Sequence, residues 1–322
     1  MDKPYVMGVD IGGTNTVFGV VDSRGQIIKG GSIKTGNYQD AKDYLAVLAP
    51  EMNRLIEEVG GKDKFNGIGI GAPNGNFYQG TIEDAPNMAW GKGKIVPFAQ
   101  MVTEATGIPT ALTNDANAAA IGEMTYGVAK GMKNFIMITL GTGVGSGVII
   151  NGQLVYGHDG FAGELGHVIM RRNNGRLCGC GRRGCLEAYA SATGVAATAR
   201  DFVEHGQVET ILAEIPDIDN ITSKDVYDAA VKGDKTAIEI FNYTGRMLGE
   251  AFADFIAFSS PEAIILFGGL TKAGKYILDP IKESMEEHAM GIYKGKTKLL
   301  VSQLPESDAA ILGASALGWE IK

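Results

Sequence analysis

All three cysteines of the chain fall within 178–185, in Cys178-Gly179-Cys180-Gly181-Arg182-Arg183-Gly184-Cys185, shortly after Gly163-Glu164-Leu165-Gly166-His167. Three is an odd number, and Cys178-x-Cys180 is a poor disulfide pair, so clustered thiols point to metal instead. Three thiols with the His167 imidazole make a closed tetrahedral zinc set, with no position open for water, which argues for a structural ion. Three unrelated buried cysteines are the alternative, and the spacing speaks against it. Glu164 and Glu187 flank the cluster. Neither offers a soft donor, so both read as hydrogen-bond acceptors, or else as solvated surface carboxylates.

Three apolar runs end in glycine turns: Asp10-Ile11-Gly12-Gly13-Thr14, Leu140-Gly141-Thr142-Gly143-Val144-Gly145 and Phe267-Gly268-Gly269. Glycine lets backbone N–H groups approach phosphate oxygens, and threonine adds a hydroxyl donor. Asp10, at a strand end, could hold Mg²⁺ directly or through water. One such turn is ordinary strand punctuation; three in a repeated frame point to a nucleotide. No G-x-x-x-x-G-K-[ST] stretch occurs, which excludes a P-loop. Gly141-x-Gly143-x-x-Ser146 departs from the dinucleotide fingerprint at its last position, and a strand rather than a helix follows.

Thr113-Asn114-Asp115-Ala116-Asn117 joins a strand to an alanine-rich helix that Gly127 would stop. Asn114 or Asp115 is a natural N-cap. A carboxylate at a helix start is favoured in its ionised form, which suits a base accepting a hydroxyl proton as a phosphoryl group arrives. The competing reading is that Asp115 is only a cap.

The elements that must position these groups follow an α/β pattern. Residues 5–10, 16–21 and 26–33 read as strands, the helical stretch with Leu45, Leu48, Met52, Leu55, Ile56 and Val59 on one face has Pro50 as a kink or break, and 67–71 is a further strand. Strand, glycine–threonine turn, strand, turn, strand returns at 135–156, which implies a duplicated α/β unit. Ala263-Ile264-Ile265-Leu266-Phe267 is another buried strand, and the tail 309–319 is helical. The 322 residues suffice for two lobes. The boundary is expected near Thr113, giving a small lobe of 1–113, to which a helix at about 305–322 returns, and a large lobe of 114–304 with the cysteine segment.

With 45% hydrophobic residues the composition is that of a globular protein with ample core. A formal net charge of -8 disfavours nucleic acid and anionic membrane as partners. No apolar run approaches the roughly 20 residues of a membrane span, and Met1-Asp2-Lys3-Pro4 lacks the features of a signal peptide. A cytoplasmic location is the resulting expectation.

In these motifs the sequence resembles the ROK family (repressors, open reading frames and kinases) within the actin/hexokinase superfamily. The C-x-C-G-x-x-G-C-x-E pattern stands without departure from Cys178 to Glu187, with Gly-Glu-x-Gly-His at 163–167 and Asp-x-Gly-Gly-Thr at 10–14. The resemblance implies a two-lobed, duplicated ribonuclease-H-like fold in which ATP and a sugar meet in the cleft. It places Asp115 on the catalytic base and Asn114, Glu164, His167 and Glu187 on sugar hydroxyls, with Asn87 and the Gly75 region as further sugar contacts. His167 would give one ring nitrogen to zinc and turn the other to the sugar. Thr14, Thr142 and Gly269 fall on nucleotide contacts. The implied activity is an ATP-dependent hexose kinase acting on the 6-hydroxyl of glucose, with Mg²⁺ and a structural Zn²⁺. Kinases of N-acetylglucosamine or N-acetylmannosamine share nearly all the motifs, and a non-catalytic sugar sensor is the alternative of another class. The first phosphate loop begins at Asp10, leaving no room for the helix-turn-helix of repressor members. A homodimer is expected at family level.

Overall fold

The computed structural model describes residues 3–36, 38–85, 87–205 and 209–321. In chain order it forms β1 (Tyr5–Ile11), β2 (Asn15–Asp22), β3 (Ile27–Lys34), α1 (Ala41–Glu58), β4 (Phe65–Gly71), β5 (Gly75–Asn76), β6 (Thr81–Glu83), β7 (Ile95–Val96), α2 (Phe98–Thr106), β8 (Thr110–Thr113) and α3 (Asp115–Tyr126). There follow β9 (Phe135–Leu140), β10 (Val144–Ile150), β11 (Gln153–Leu154), α4 (Glu187–Ala190), α5 (Ala192–His205) and α6 (Ser223–Val231). The chain ends with α7 (Lys235–Ser259), β12 (Ala263–Phe267), α8 (Lys275–His288), β13 (Lys298–Val301) and α9 (Glu306–Trp319).

Two five-stranded sheets have the orders β3-β2-β1-β4-β8 and β11-β10-β9-β12-β13. Third, second, first, fourth, fifth is the order in both, as a duplicated unit requires. In the first sheet β1–β2 and β2–β3 are antiparallel while β1–β4 and β4–β8 are parallel; in the second, β9, β12 and β13 run parallel and β10–β11 is antiparallel. The fold is thus the mixed-sheet α/β type expected. The chain divides into two compact units, Met1–Met132 with Gly147–Gly163 and Ser302–Lys322, and Lys133–Ser146 with Glu164–Val301. The boundary expected near Thr113 falls instead at Met132, because α3 packs with α9 and β4 in the first unit.

In the first unit β1 buries both faces. Met7 and Val9 pack with Tyr44, Leu48 and Met52 of α1 and Phe98 of α2, whereas Val6 meets Ile311 and Leu312 of α9. The buried set of α1 (Ala41, Tyr44, Leu45, Leu48, Ala49, Met52, Leu55, Ile56) recurs at helical spacing. That packing corrects the expectation at Pro50: the helix continues through it. Pro50 lies on the exposed side, and burial of the opposite face outweighs the roughly 3 kcal/mol that an internal proline costs. Among the described residues no helix is long and apolar enough to cross a membrane.

Helix α9 lies so close to the sheet that its carbonyls occupy space side chains would need. A Cβ on Gly8 would sit 2.1 Å from the Ile311 carbonyl oxygen, and one on Gly69 only 1.9 Å from that of Ala314. Gly69→Ala should therefore destabilise the protein by at least about 1–3 kcal/mol, seen as a lower denaturant midpoint with unchanged slope. An unchanged midpoint would mean that α9 does not hold this position in solution.

Candidate active site and metal-binding cluster

In the first unit the parallel strands β1, β4 and β8 stop together. Asp10 pairs in register with Gly71, and Gly71 with Thr113. The ends of parallel strands are where open α/β sheets place their ligands. A Cβ on Gly71 would lie 3.4 Å from Asp10 Oδ1 and 3.6 Å from the Asp115 Cα, so the two carboxylate-bearing residues flank a position that has no side chain. Asn114 is the N-cap: its Oδ1 accepts the Asn117 N–H at 2.7 Å. Asp115 is therefore not the cap. It opens α3, with Oδ1 accepting the Ala116 N–H at 2.8 Å.

The carboxyl of Asp10 is pushed up to about 7, first by burial and then by the charge of Asp115. Asp115 keeps accessible surface, yet the protein crowded around it disfavours its ionised form and raises its pKa against the Ala116 hydrogen bond. The Gly12 N–H is committed to the Asn15 carbonyl at 3.0 Å, which closes the first loop. Gly13 packs on Asn87: a Cβ there would meet the Asn87 Cβ at 3.0 Å. Asn87 is exposed beside this loop, as is Thr14; its neighbour Pro86 lies outside the described residues. Gly75 is buried, and a Cβ on it would lie 2.4 Å from the Thr113 carbonyl oxygen. What it visibly does is let β5 approach the end of β8.

In the second unit Phe267 of β12 pairs with Thr139 of β9, so the turns Gly141-Thr142-Gly143 and Gly268-Gly269 leave neighbouring strands at the same end. Gly268 has φ +108°, and a Cβ there would stand 2.5 Å from the Leu140 carbonyl oxygen. The first of these turns is braced from 187–193. Val144 N–H donates to Glu187 Oε2 at 3.0 Å, Ala192 N–H to the Gly141 carbonyl at 2.8 Å, and Thr193 Oγ1 to the Thr142 carbonyl at 2.9 Å.

The metal-ligating atoms of His167, Cys178, Cys180 and Cys185 all lie within 4.8 Å of one another. Cys180 Sγ and Cys185 Sγ are 3.7 Å apart, as are Cys178 Sγ and His167 Nδ1. Two sulfurs at the usual 2.3 Å around a tetrahedral zinc stand about 3.8 Å apart, which is close to the separation of Cys180 and Cys185. His167 turns Nδ1 to the thiols and Nε2 toward Glu164, 4.0 Å from Oε2. Burial pushes the Cys178 thiol up to about 12, whereas Cys180 comes down to about 7 against its own desolvation, held by Arg182 and the adjoining thiols. Cys178 Sγ also lies 3.4 Å from Glu187 Oε1. A cavity of about 210 Å³ opens here, lined by Leu177, Cys178, Glu187, Thr193 and Gly194 among others.

A sequence model described as ROK family matches residues 6–320. The chain belongs to the ROK family. Two relatives are named glucokinase: that of Halalkalibacterium halodurans is 34% identical over 100% of this chain and 96% of its own, and that of Thermotoga maritima 35% identical over 98% of each. Among solved structures, a ROK family glucokinase from Streptomyces griseus in complex with glucose and AMPPNP superposes with a TM-score of 0.79 at 32% identity, covering 98% of this chain and 99% of that one. The fold is accordingly the α/β sugar-kinase fold of the ROK family, actin/hexokinase-like in architecture.

Sequence reasoning missed Gly71 and the bracing residues Ala192 and Thr193. The strand run ending at Gly71 could have signalled the first, whereas the bracing bonds have no local signature. The carboxylate pair has a measurable consequence in the protein free of nucleotide and metal. Between the ordinary carboxylate value near 4 and about 7, folded Asp10 keeps a proton that the unfolded chain has lost, so stability falls as pH rises through that window. Asp115→Asn removes the neighbouring charge and should flatten this fall. Denaturant midpoints at pH 5 and pH 8 for both proteins check it; equal pH dependence would rule out the pairing.

Proposed function

We propose that the chain is an ATP-dependent hexose kinase that transfers the γ-phosphoryl group to the 6-hydroxyl of glucose. The single observation that carries the reading is Asp115: a carboxylate that is not the helix cap, beside Asp10 across Gly71, at the ends of three parallel strands. Burial raises its pKa above the ordinary carboxylate value, the direction in which general bases are tuned. Asp115 accepts the proton of the attacking hydroxyl, the hydroxyl oxygen forms the bond to the γ-phosphorus, and ADP leaves with the bridging oxygen. The relatives named glucokinase support the choice of sugar.

Asn114, Glu164, His167 and Glu187 hold sugar hydroxyls, with Asn87 and the Gly75 region adjoining. Gly12 shapes the first loop, and the amides of Gly13 and Thr14 meet phosphate. Thr142, Gly143, Gly268 and Gly269 serve the nucleotide in the same way. Asp10, buried and hard to ionise alone, suits a neighbouring cation; bound Mg²⁺ would neutralise phosphate charge. His167, Cys178, Cys180 and Cys185 hold a structural Zn²⁺, which fits the 3.7 Å sulfur separation.

Asp115→Asn should bind sugar normally and lose about 100-fold or more in kcat, the range for a missing general base; near-wild-type turnover would reduce Asp115 to a structural role. The substrate is settled by kcat/KM for glucose, mannose, fructose, allose, N-acetylglucosamine and N-acetylmannosamine with Mg-ATP. An N-acetyl sugar ahead by about tenfold or more, roughly 1.4 kcal/mol of transition-state binding, would replace glucose, and no turnover with any of them would overturn the kinase reading. Metal analysis should find one zinc per chain, lost in Cys180→Ser together with activity. A metal-free, fully active chain with three titrating thiols would contradict the zinc assignment.

A further inference from the structure

The carboxylate of Glu187 is doubly engaged. Oε2 accepts the Val144 N–H at 3.0 Å and Oε1 stands 3.4 Å from Cys178 Sγ. A Cβ on Gly143 would come within 2.5 Å of Oε2, so the carboxylate lies directly against the turn 141–143 and a larger residue there would displace it. Two further bonds from the same stretch, Ala192 N–H to the Gly141 carbonyl and Thr193 Oγ1 to the Thr142 carbonyl, hold the rest of the turn. Ser191 joins them, its Oγ 2.9 Å from Thr193 Oγ1 and donating to the Glu187 carbonyl. All four of these residues follow Cys185 closely in sequence. The turn that serves the nucleotide is thus held from the metal-binding segment, and the only side-chain carboxylate in that bracing is the one assigned above to a sugar hydroxyl.

We propose that Glu187 is a positioning residue for the nucleotide, holding the turn 141–143 from the segment that follows the cysteines and setting the affinity for ATP independently of sugar. The inference rests on the kinase reading, since it concerns the same site. Removing the carboxylate leaves the Val144 N–H without its acceptor and releases the turn from the segment that carries Cys178. A group that merely touched sugar would leave nucleotide binding alone. Glutamine keeps an oxygen for the Val144 N–H and should restore most of the effect, which separates this tie from charge alone.

The test is titration calorimetry of Mg-ADP in the absence of sugar, on full-length wild type, Glu187→Ala, Glu187→Gln and Gly143→Ala, with zinc content measured on each. Glu187→Ala should weaken Mg-ADP by about tenfold or more, the size expected for a lost hydrogen bond to a charged acceptor, at unchanged zinc content. Glu187→Gln should stay within about threefold of wild type. Gly143→Ala, whose methyl group displaces the carboxylate from the Val144 N–H, should weaken Mg-ADP at unchanged zinc content; it serves as the second variant if Glu187→Ala does not fold. A Glu187→Ala protein that loses glucose affinity alone, or a Gly143→Ala protein with wild-type Mg-ADP affinity, overturns the proposal while the kinase reading stands. Wild type that binds no Mg-ADP overturns both.

Discussion

The register of β1, β4 and β8 is the constraint on which the first unit depends. Because Asp10, Gly71 and Thr113 stand level, the chain leaves β8 beside Gly71, and Asp115 comes to the side of that glycine opposite Asp10. That proximity opposes folding, since two carboxylates in a crowded place repel and lose hydration. It persists because the surrounding structure over-determines it. Helix α9 presses on the far side of β1 and β4, where Gly8 and Gly69 admit its backbone. Helix α3 is fixed at both ends: Asn114 caps its start, and near its end the buried Glu123 accepts the Val128 N–H at 2.9 Å and the Ser302 hydroxyl.

The second unit aligns its turns by the same device, strand register, and adds another kind of support. The turn at 141–143 is held by directed bonds from the starts of two helices, Glu187 of α4 and Ala192 and Thr193 of α5. Backbone bonds to fixed partners hold a turn more tightly than apolar contact, which is non-directional. For the phosphate-orienting role proposed for this turn, that directionality is an advantage.

Much of this was legible because it is local. A glycine turn after an apolar strand, Asn-Asp before an alanine helix and the spacing of the cysteines each carry their meaning within about ten residues, and each element formed where its signal stood. What escaped depends on distant chain. A break at Pro50, one of the two readings offered there beside a kink, does not occur, because propensity cannot see the core against which α1 lies. The unit boundary was set too early because nothing in 115–132 announces α9 as its partner. The bond from Val144 to Glu187 joins residues 43 apart. Gly71 is meaningful only once two aspartates are brought to either side of it.

The placing of α9 has a consequence for how the protein is made. Its helix completes the first unit, yet it is encoded last, after the whole of the second unit has been translated. The β1–β4 surface that Gly8 and Gly69 shape for it must wait, uncovered, through the synthesis of 133–301. Domains generally assemble as their chain emerges, and those needing contacts distant in sequence assemble late. The second unit, whose segments lie between, can be complete while the first still has an open apolar face.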